Sequence, residues 1–191
     1  MTTAYVLESK KKTINSSDVF EQLKLKSGES VIFDVYREED FQSLYEIFVE
    51  VIEEGITYPQ DTINENSFRG YFLSHYCFVV RSESDGHCLA GIYIKPNFPG
   101  RSSHIANGGL IVRKACRGKG LGDILMTKWL KLSSKLGFKA VYSNLVFETN
   151  KAMIKLMERY GLKKVGHLPE AGNLKNLGYV GAIQFYKKLY E

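Results

Sequence analysis

The sequence predicts an α/β (α+β) domain: one central, mixed but mostly antiparallel sheet of about six or seven strands with helices on both faces. Three observations carry this expectation. Short β-branched and aromatic runs separated by polar turns recur along the chain. Longer segments repeat apolar residues at helical spacing. One strand, at residues 106–112, runs straight into a glycine-rich basic turn that opens a helix. The 191 residues suit a single core.

Residues 1–28 alternate weakly and end at the turn signal Lys26-Ser27-Gly28-Glu29. They read as an N-terminal extension with room for one short strand, leaving 29–191 as the domain. Residues 31–36 form a strand by their β-branched and aromatic content, and Asp40 is placed to cap a helix carrying Phe41, Leu44, Tyr45, Phe48, Val51 and Ile52. Gly55 stops that helix, and residues 56–61 form a loop before a short helix with Phe68, Tyr71, Phe72 and Leu73. Residues 77–80 and 89–94 are strands joined by the polar turn at 82–86. After the strand at 106–112, Ile124, Leu125, Trp129 and Leu132 share one helix face. Residues 139–147 make a further strand, Asn150 opens an amphipathic helix that Gly161 ends, and 163–167 and 180–188 are the last strands.

Composition narrows the function. Hydrophobic residues make up 44% and charged residues 25%, the balance of a globular protein. A net charge of +5 without a basic stripe interleaved with aromatics argues against nucleic acid and fits a polyanionic ligand. The run Lys10-Lys11-Lys12 reads as a solvated loop. Cys77, Cys88 and Cys116 are odd in number and lack CxxC spacing, which favours a reducing compartment. The first residues lack the apolar run of a signal peptide, and no stretch approaches the roughly 20 apolar residues that span a bilayer. These features predict a cytoplasmic protein, free to diffuse into the nucleus, with no membrane partner. The histidines and cysteines are scattered without ligand spacing, so no metal is expected.

The strongest chemical signal is the segment from Val112 to Gly122. Gly118, Gly120 and Gly122 let the backbone approach a ligand, and the helix behind them offers unpaired N–H groups and the positive end of its dipole to an anion. Arg113, Lys114, Arg117 and Lys119 add cationic partners for phosphates. Glycine spacing alone would also suit a ligand-free turn. A Rossmann fingerprint and a P-loop are excluded, the first by spacing and the second because Gly120, not Ser or Thr, follows Lys119.

The run Arg117-Gly118-Lys119-Gly120-Leu121-Gly122 resembles the acetyl-CoA pyrophosphate loop of the GNAT superfamily of N-acetyltransferases, and the order of elements from residue 31 onward resembles that fold. Asn150, Ala152, Leu156 and Tyr160-Gly161-Leu162 resemble its second signature. The resemblance implies an enzyme with acetyl-CoA as co-substrate, held by Leu110, Ile111, Val112, Arg117, Gly118, Lys119, Gly120, Leu121, Gly122 and Asn150. It also implies that the Val112 backbone N–H polarises the thioester carbonyl. Many members place a tyrosine acid where this chain has Met157; Tyr160 is displaced along the helix and reads as core.

Across residues 54–185, Thr57-Tyr58-Pro59-Gln60, Tyr93-Ile94-Lys95-Pro96-Asn97, Ser103-His104, Asn144-Leu145-Val146-Phe147 and Thr149-Asn150 resemble the fungal L-azetidine-2-carboxylate acetyltransferases, which act on proline-like secondary amines. That resemblance implies Asn107 and Asn144 as substrate-binding residues, Asn144 and Asn150 as catalytic ones with Asn150 near the thioester sulfur, and a homodimer. An amide can donate to a carboxylate or accept from an amine without carrying a charge. Asn144 lies in an apolar strand, where an idle buried amide would be costly, which favours function; Asn150 before a helix also suits an N-cap. Tyr58 walls the substrate pocket or packs. His104 reads as structural, and Cys116 has no His or acid neighbour to activate it as a nucleophile. The expected reaction is direct acetyl transfer to a small imino acid in a ternary complex. A peptide or polyamine acetyltransferase and a non-catalytic acyl-CoA sensor are the alternatives, and the bulky Tyr58-Pro59 loop argues against an open peptide groove.

Overall fold

The computed structural model describes residues 13–190, so the readings of the first dozen residues, including the lysine run, lie outside it. Eight strands form one sheet: β1 (Glu21–Lys24), β2 (Ser30–Val35), β3 (Tyr76–Ser82), β4 (Cys88–Pro96), β5 (Ile105–Val112), β6 (Ala140–Phe147), β7 (Lys163–Leu174) and β8 (Gly178–Lys188), in the order β1-β2-β3-β4-β5-β6-β8-β7. Every neighbouring pair is antiparallel except β5 with β6. The helices are α1 (Phe41–Glu54), α2 (Glu65–Tyr71), α3 (Leu121–Lys135) and α4 (Lys151–Arg159). The mixed sheet flanked by helices is the expected one, extended to eight strands by β1.

Strand alternation sends each face of the sheet to a different core. Along β4, Ala90, Ile92 and Ile94 join Phe33, Phe78, Trp129 and Phe185 in the core that α3 and α4 cover. Gly91 and Tyr93 face the other way, where Leu44, Phe48, Phe68 and Phe72 of the α1–α2 region form the second core. Gly91 lies so close to Leu44 that any side chain there would overlap it. Phe41, Leu44, Phe48, Val51 and Ile52 of α1 are buried as their spacing predicts, Tyr45 is half-buried, and Gly55, at φ +66°, ends the helix in the left-handed region.

Asp40 is a correction. It precedes α1, but its side chain makes no cap bond to that helix. Its carboxylate instead takes the Arg81 guanidinium at 2.5 Å and the Arg37 N–H at 2.7 Å. Arg81 is nearly buried and would be an uncompensated charge without it.

The β7–β8 hairpin is longer than predicted. β7 continues past residue 167 through irregular register between Leu168 and Gly172, with Glu170 at φ +49°. Its tip folds back on the end of α1, where Lys175 donates its backbone N–H to Gly55 O at 2.9 Å and its Nζ to Glu53 O at 2.8 Å.

What positions the site is the single parallel contact. β5 and β6 pair only at Ile105 with Ala140 and Ala106 with Val141, and beyond those two rungs they diverge. The sheet therefore opens as a wedge between residues 107–112 and 142–147.

Candidate active site

The wedge is lined by backbone before it is lined by side chains. Asn97 N–H bonds Ile105 O and Arg113 N–H bonds Leu89 O, so the odd-numbered residues of β5 aim their backbone groups at β4. By alternation Gly108, Leu110 and Val112 aim theirs toward β6, where pairing has ended. An extended arm carrying amides can bond to these groups as an added strand would. Leu110 and Val112, both named from sequence, thus face the gap with their backbone groups. Ile111, also named, has its backbone toward β4 and its side chain buried in the α1–α2 core.

At the wide end of the wedge lies the glycine loop. Gly118 has φ +80° and open space where a side chain would be, and Gly120 has φ +96°. Among the described residues no side chain caps α3, so its first N–H groups and its dipole are left to a ligand. Leu121 is buried in the core and Gly122 lies against Leu156 of α4, so these two set helix packing. The loop's cations are engaged with carboxylates. Arg117 reaches Glu54 at 2.9 Å and Val112 O at 3.3 Å, Lys114 reaches Glu54 at 3.7 Å, and Lys119 reaches Glu29 at 3.0 Å. Arg113 is structural, since it bonds Cys88 O and Ser43 O and lies 3.6 Å from Glu46. Positive-φ glycines, an uncapped helix and exposed cations fit a pyrophosphate, and the gap-facing amides fit the arm attached to it.

At the narrow end, Asn107 is buried at the apex. Its Nδ2 donates to Asn144 Oδ1 and Asn97 Oδ1, both at 3.0 Å, and to Tyr142 O at 3.2 Å. Its Oδ1 accepts from Tyr93 OH at 3.2 Å, and Tyr93 OH lies 3.0 Å from Tyr71 OH. Asn107 and Asn144 are therefore brought together, with Asn107 spending its amide on neighbours. Asn144 is exposed, at the register shift of β6, not buried as its apolar strand suggested. Asn150 caps α4, its Oδ1 accepting from Met153 N–H at 3.1 Å, which leaves its Nδ2 to donate elsewhere. Tyr58 packs edge-on to Phe48 and Tyr71, and its buried hydroxyl, beside Gly109 of β5, has no hydrogen-bond partner among the described residues.

Sequence reasoning missed Tyr71, Tyr93 and Lys95. Burial raises the Tyr58, Tyr71 and Tyr93 hydroxyls, so all three stay neutral. Lys95 stands with its Nζ 4.3 Å from the Tyr71 ring centroid and 4.7 Å from that of Tyr93, and burial lowers it to about 8. The signal was present: by alternation Lys95 had to share a face with Gly91 and Tyr93.

The remaining candidates fall away. Met157 is buried. Tyr160 bonds Asp123 O at 3.1 Å and lies 3.1 Å from Thr127 Oγ1, tying α4 to α3 as a packing residue would. His104 is exposed beside Arg101 O, at the paired end of β5. Cys116 is a free thiol packed into the larger core.

Known proteins agree with this geometry. Residues 37–162 match the Acetyltransferase (GNAT) family. The chain is 38% identical over 168 residues to the N-acetyltransferase aca1 of Schizosaccharomyces pombe, covering 78% of this chain and 80% of that protein. A GCN5-related N-acetyltransferase from Kribbella flavida has the same fold, with a TM-score of 0.78 at 27% identity over 83% of this chain and 97% of its own. A phosphinothricin acetyltransferase from Sinorhizobium meliloti, solved in complex with AcCoA, superposes with a TM-score of 0.76 at 17% identity, over 83% of this chain and 88% of its own. Family and geometry agree: the chain belongs to the Acetyltransferase (GNAT) family and is an N-acetyltransferase that uses acetyl-CoA as its acyl donor.

Proposed function

We propose that the acetyl acceptor is the ring nitrogen of a small proline-like imino acid such as L-azetidine-2-carboxylate or cis-4-hydroxyproline. The observation that carries this reading is the Asn107–Asn144 pair at the apex of the wedge. Asn107 fixes Asn144 from behind, and Asn144, exposed and accepting through Oδ1, keeps its Nδ2 for a ligand. Around them Tyr58, Tyr71 and Tyr93 make a closed aromatic wall suited to a compact ring rather than to an extended peptide.

The reaction needs the amine as its free base. Its nitrogen attacks the thioester carbonyl carbon, whose oxygen is polarised by a β5 backbone N–H, with Val112 and Leu110 both aimed into the wedge. The carbon–sulfur bond breaks, the amide forms, and the sulfur leaves as thiolate. Asn150 Nδ2 stabilises that thiolate, while the proton lost by the ammonium reaches the sulfur through water. A cytoplasmic location is inferred from the cysteine pattern and a homodimer from the same resemblance, and sedimentation velocity checks the dimer.

Thiol release from acetyl-CoA is measured with L-azetidine-2-carboxylate and cis-4-hydroxyproline against spermidine and a peptide amine. Turnover of the imino acids that falls at least tenfold in Asn144→Ala is the expected result. Turnover of the polyamine or peptide alone overturns the substrate reading and leaves the family unchanged.

A further inference from the structure

We propose that Lys95 receives the substrate's carboxylate, making the enzyme selective for amines that carry a carboxylate over uncharged amines and carboxamides. This deepens the imino-acid reading above and rests on it. Three other sequestered cations are satisfied by carboxylates. Arg81 pairs with Asp40 and Asp34, Lys128 with Glu21, and Arg113 with Glu46 and Glu50. Among the described residues no carboxylate pairs with Lys95. Among the described residues its hydrogen bond is to Tyr71 O at 3.5 Å, the limit of such a bond, and its ammonium lies over the faces of Tyr71 and Tyr93. Aromatic faces hold an ammonium in place but leave its charge uncompensated.

Its position points to the missing partner. Lys95 is the cross-strand neighbour of Asn107 on β5, and both side chains lie on the α1–α2 face of the sheet. Tyr93 links the two, its OH bonded to Asn107 and its ring face beneath the Lys95 ammonium. A carboxylate entering beside Asn144 would meet an ammonium with unused donors on one side and an amide N–H on the other. Those two anchors fix an imino acid by its carboxylate and leave the ring nitrogen free to face the thioester. The titratable groups around Lys95, Tyr71 from α2 and Tyr93 from β4, are neutral, so they do not compete with the anion.

The test compares wild type, Lys95→Met and Lys95→Arg with acetyl-CoA and either L-azetidine-2-carboxylate or its carboxamide. Wild type should prefer the acid. Lys95→Met should lower kcat/KM for the acid about 100-fold, chiefly through KM, with the carboxamide changed less than about threefold. The KM for acetyl-CoA should not move. Wild type should lose affinity for the acid as pH rises past 8, and Lys95→Arg should restore part of the preference and remove that loss. An equal fall on acid and carboxamide in Lys95→Met, or a preference for the acid that survives it, overturns the role of Lys95 while the imino-acid reading stands. A wild type inert toward every carboxylate-bearing amine, whatever else it acetylates, overturns both.

Discussion

Lys95 is a residue whose ordinary chemistry is opposed by its surroundings. Its folded value of about 8 lies below the 10.5 of the free side chain, so the folded state disfavours the charged form. That penalty is fully present below pH 8 and fades as pH rises toward 10.5. Lys95→Met should therefore be more stable than wild type at pH 7, by on the order of 1–3 kcal/mol, with most of the gain gone at pH 10. Urea unfolding at the two pH values measures it, and a variant at once more stable and less active would show a residue retained for function. The two apex asparagines divide differently. Asn107→Ala removes a buried amide with several partners and should cost about 1–3 kcal/mol of stability as well as activity. Asn144→Ala, at an exposed position, should stay within about 0.5 kcal/mol of wild type in stability and lose activity alone. Equal losses of stability in both would contradict the division.

The loop before α3 depends on the end of α1. Glu54 holds both Arg117 and Lys114, and its carboxylate competes with the pyrophosphate for them. Glu54→Gln should tighten CoA binding a few-fold at low salt, with the difference shrinking as ionic strength screens it; calorimetric titration at two salt concentrations reads this. Gly120→Ala should weaken CoA binding and cost about 1–2 kcal/mol, because φ +96° is strained for any side chain. Elements with a clear period were legible from sequence: α1, α3, α4 and the meander β3–β4 arise where apolar residues repeat or alternate. The far half of β7 was not, because Pro169, Gly172 and Asn173 read as loop and only pairing with β8 makes them a strand. The glycine loop and the three asparagines were visible as motifs. Tyr93 and Lys95 were visible within one motif, but their meeting with Tyr71 was not, because Tyr71 and Lys95 are 24 positions apart and meet only when α2 packs over β4. Asn144 misled for a related reason: an apolar strand implies burial, and the register shift in β6 turns that residue outward.

At the scale of the molecule, one sheet separates two main cores that share strands β3, β4 and β5, so neither can melt without exposing the other. Trp129, the single tryptophan, reports on the α3 side, while Tyr58, Tyr71 and Tyr93 report on the α1–α2 side. Tryptophan fluorescence and near-ultraviolet circular dichroism should give coincident thermal transitions; separated midpoints would mean two folding units. The same sheet is weakest where the chemistry lies. Strands β1–β5 and β6–β8 are two leaves joined through two rungs of parallel pairing. Acetyl-CoA, lying across the open stretch and bonding to the bared amides of β5, then acts as a clasp that shuts the leaves. Amide hydrogens of Gly108, Leu110 and Val112 should exchange rapidly in the free enzyme and slow sharply once the donor binds, so that the enzyme borrows part of its rigidity from the molecule it consumes.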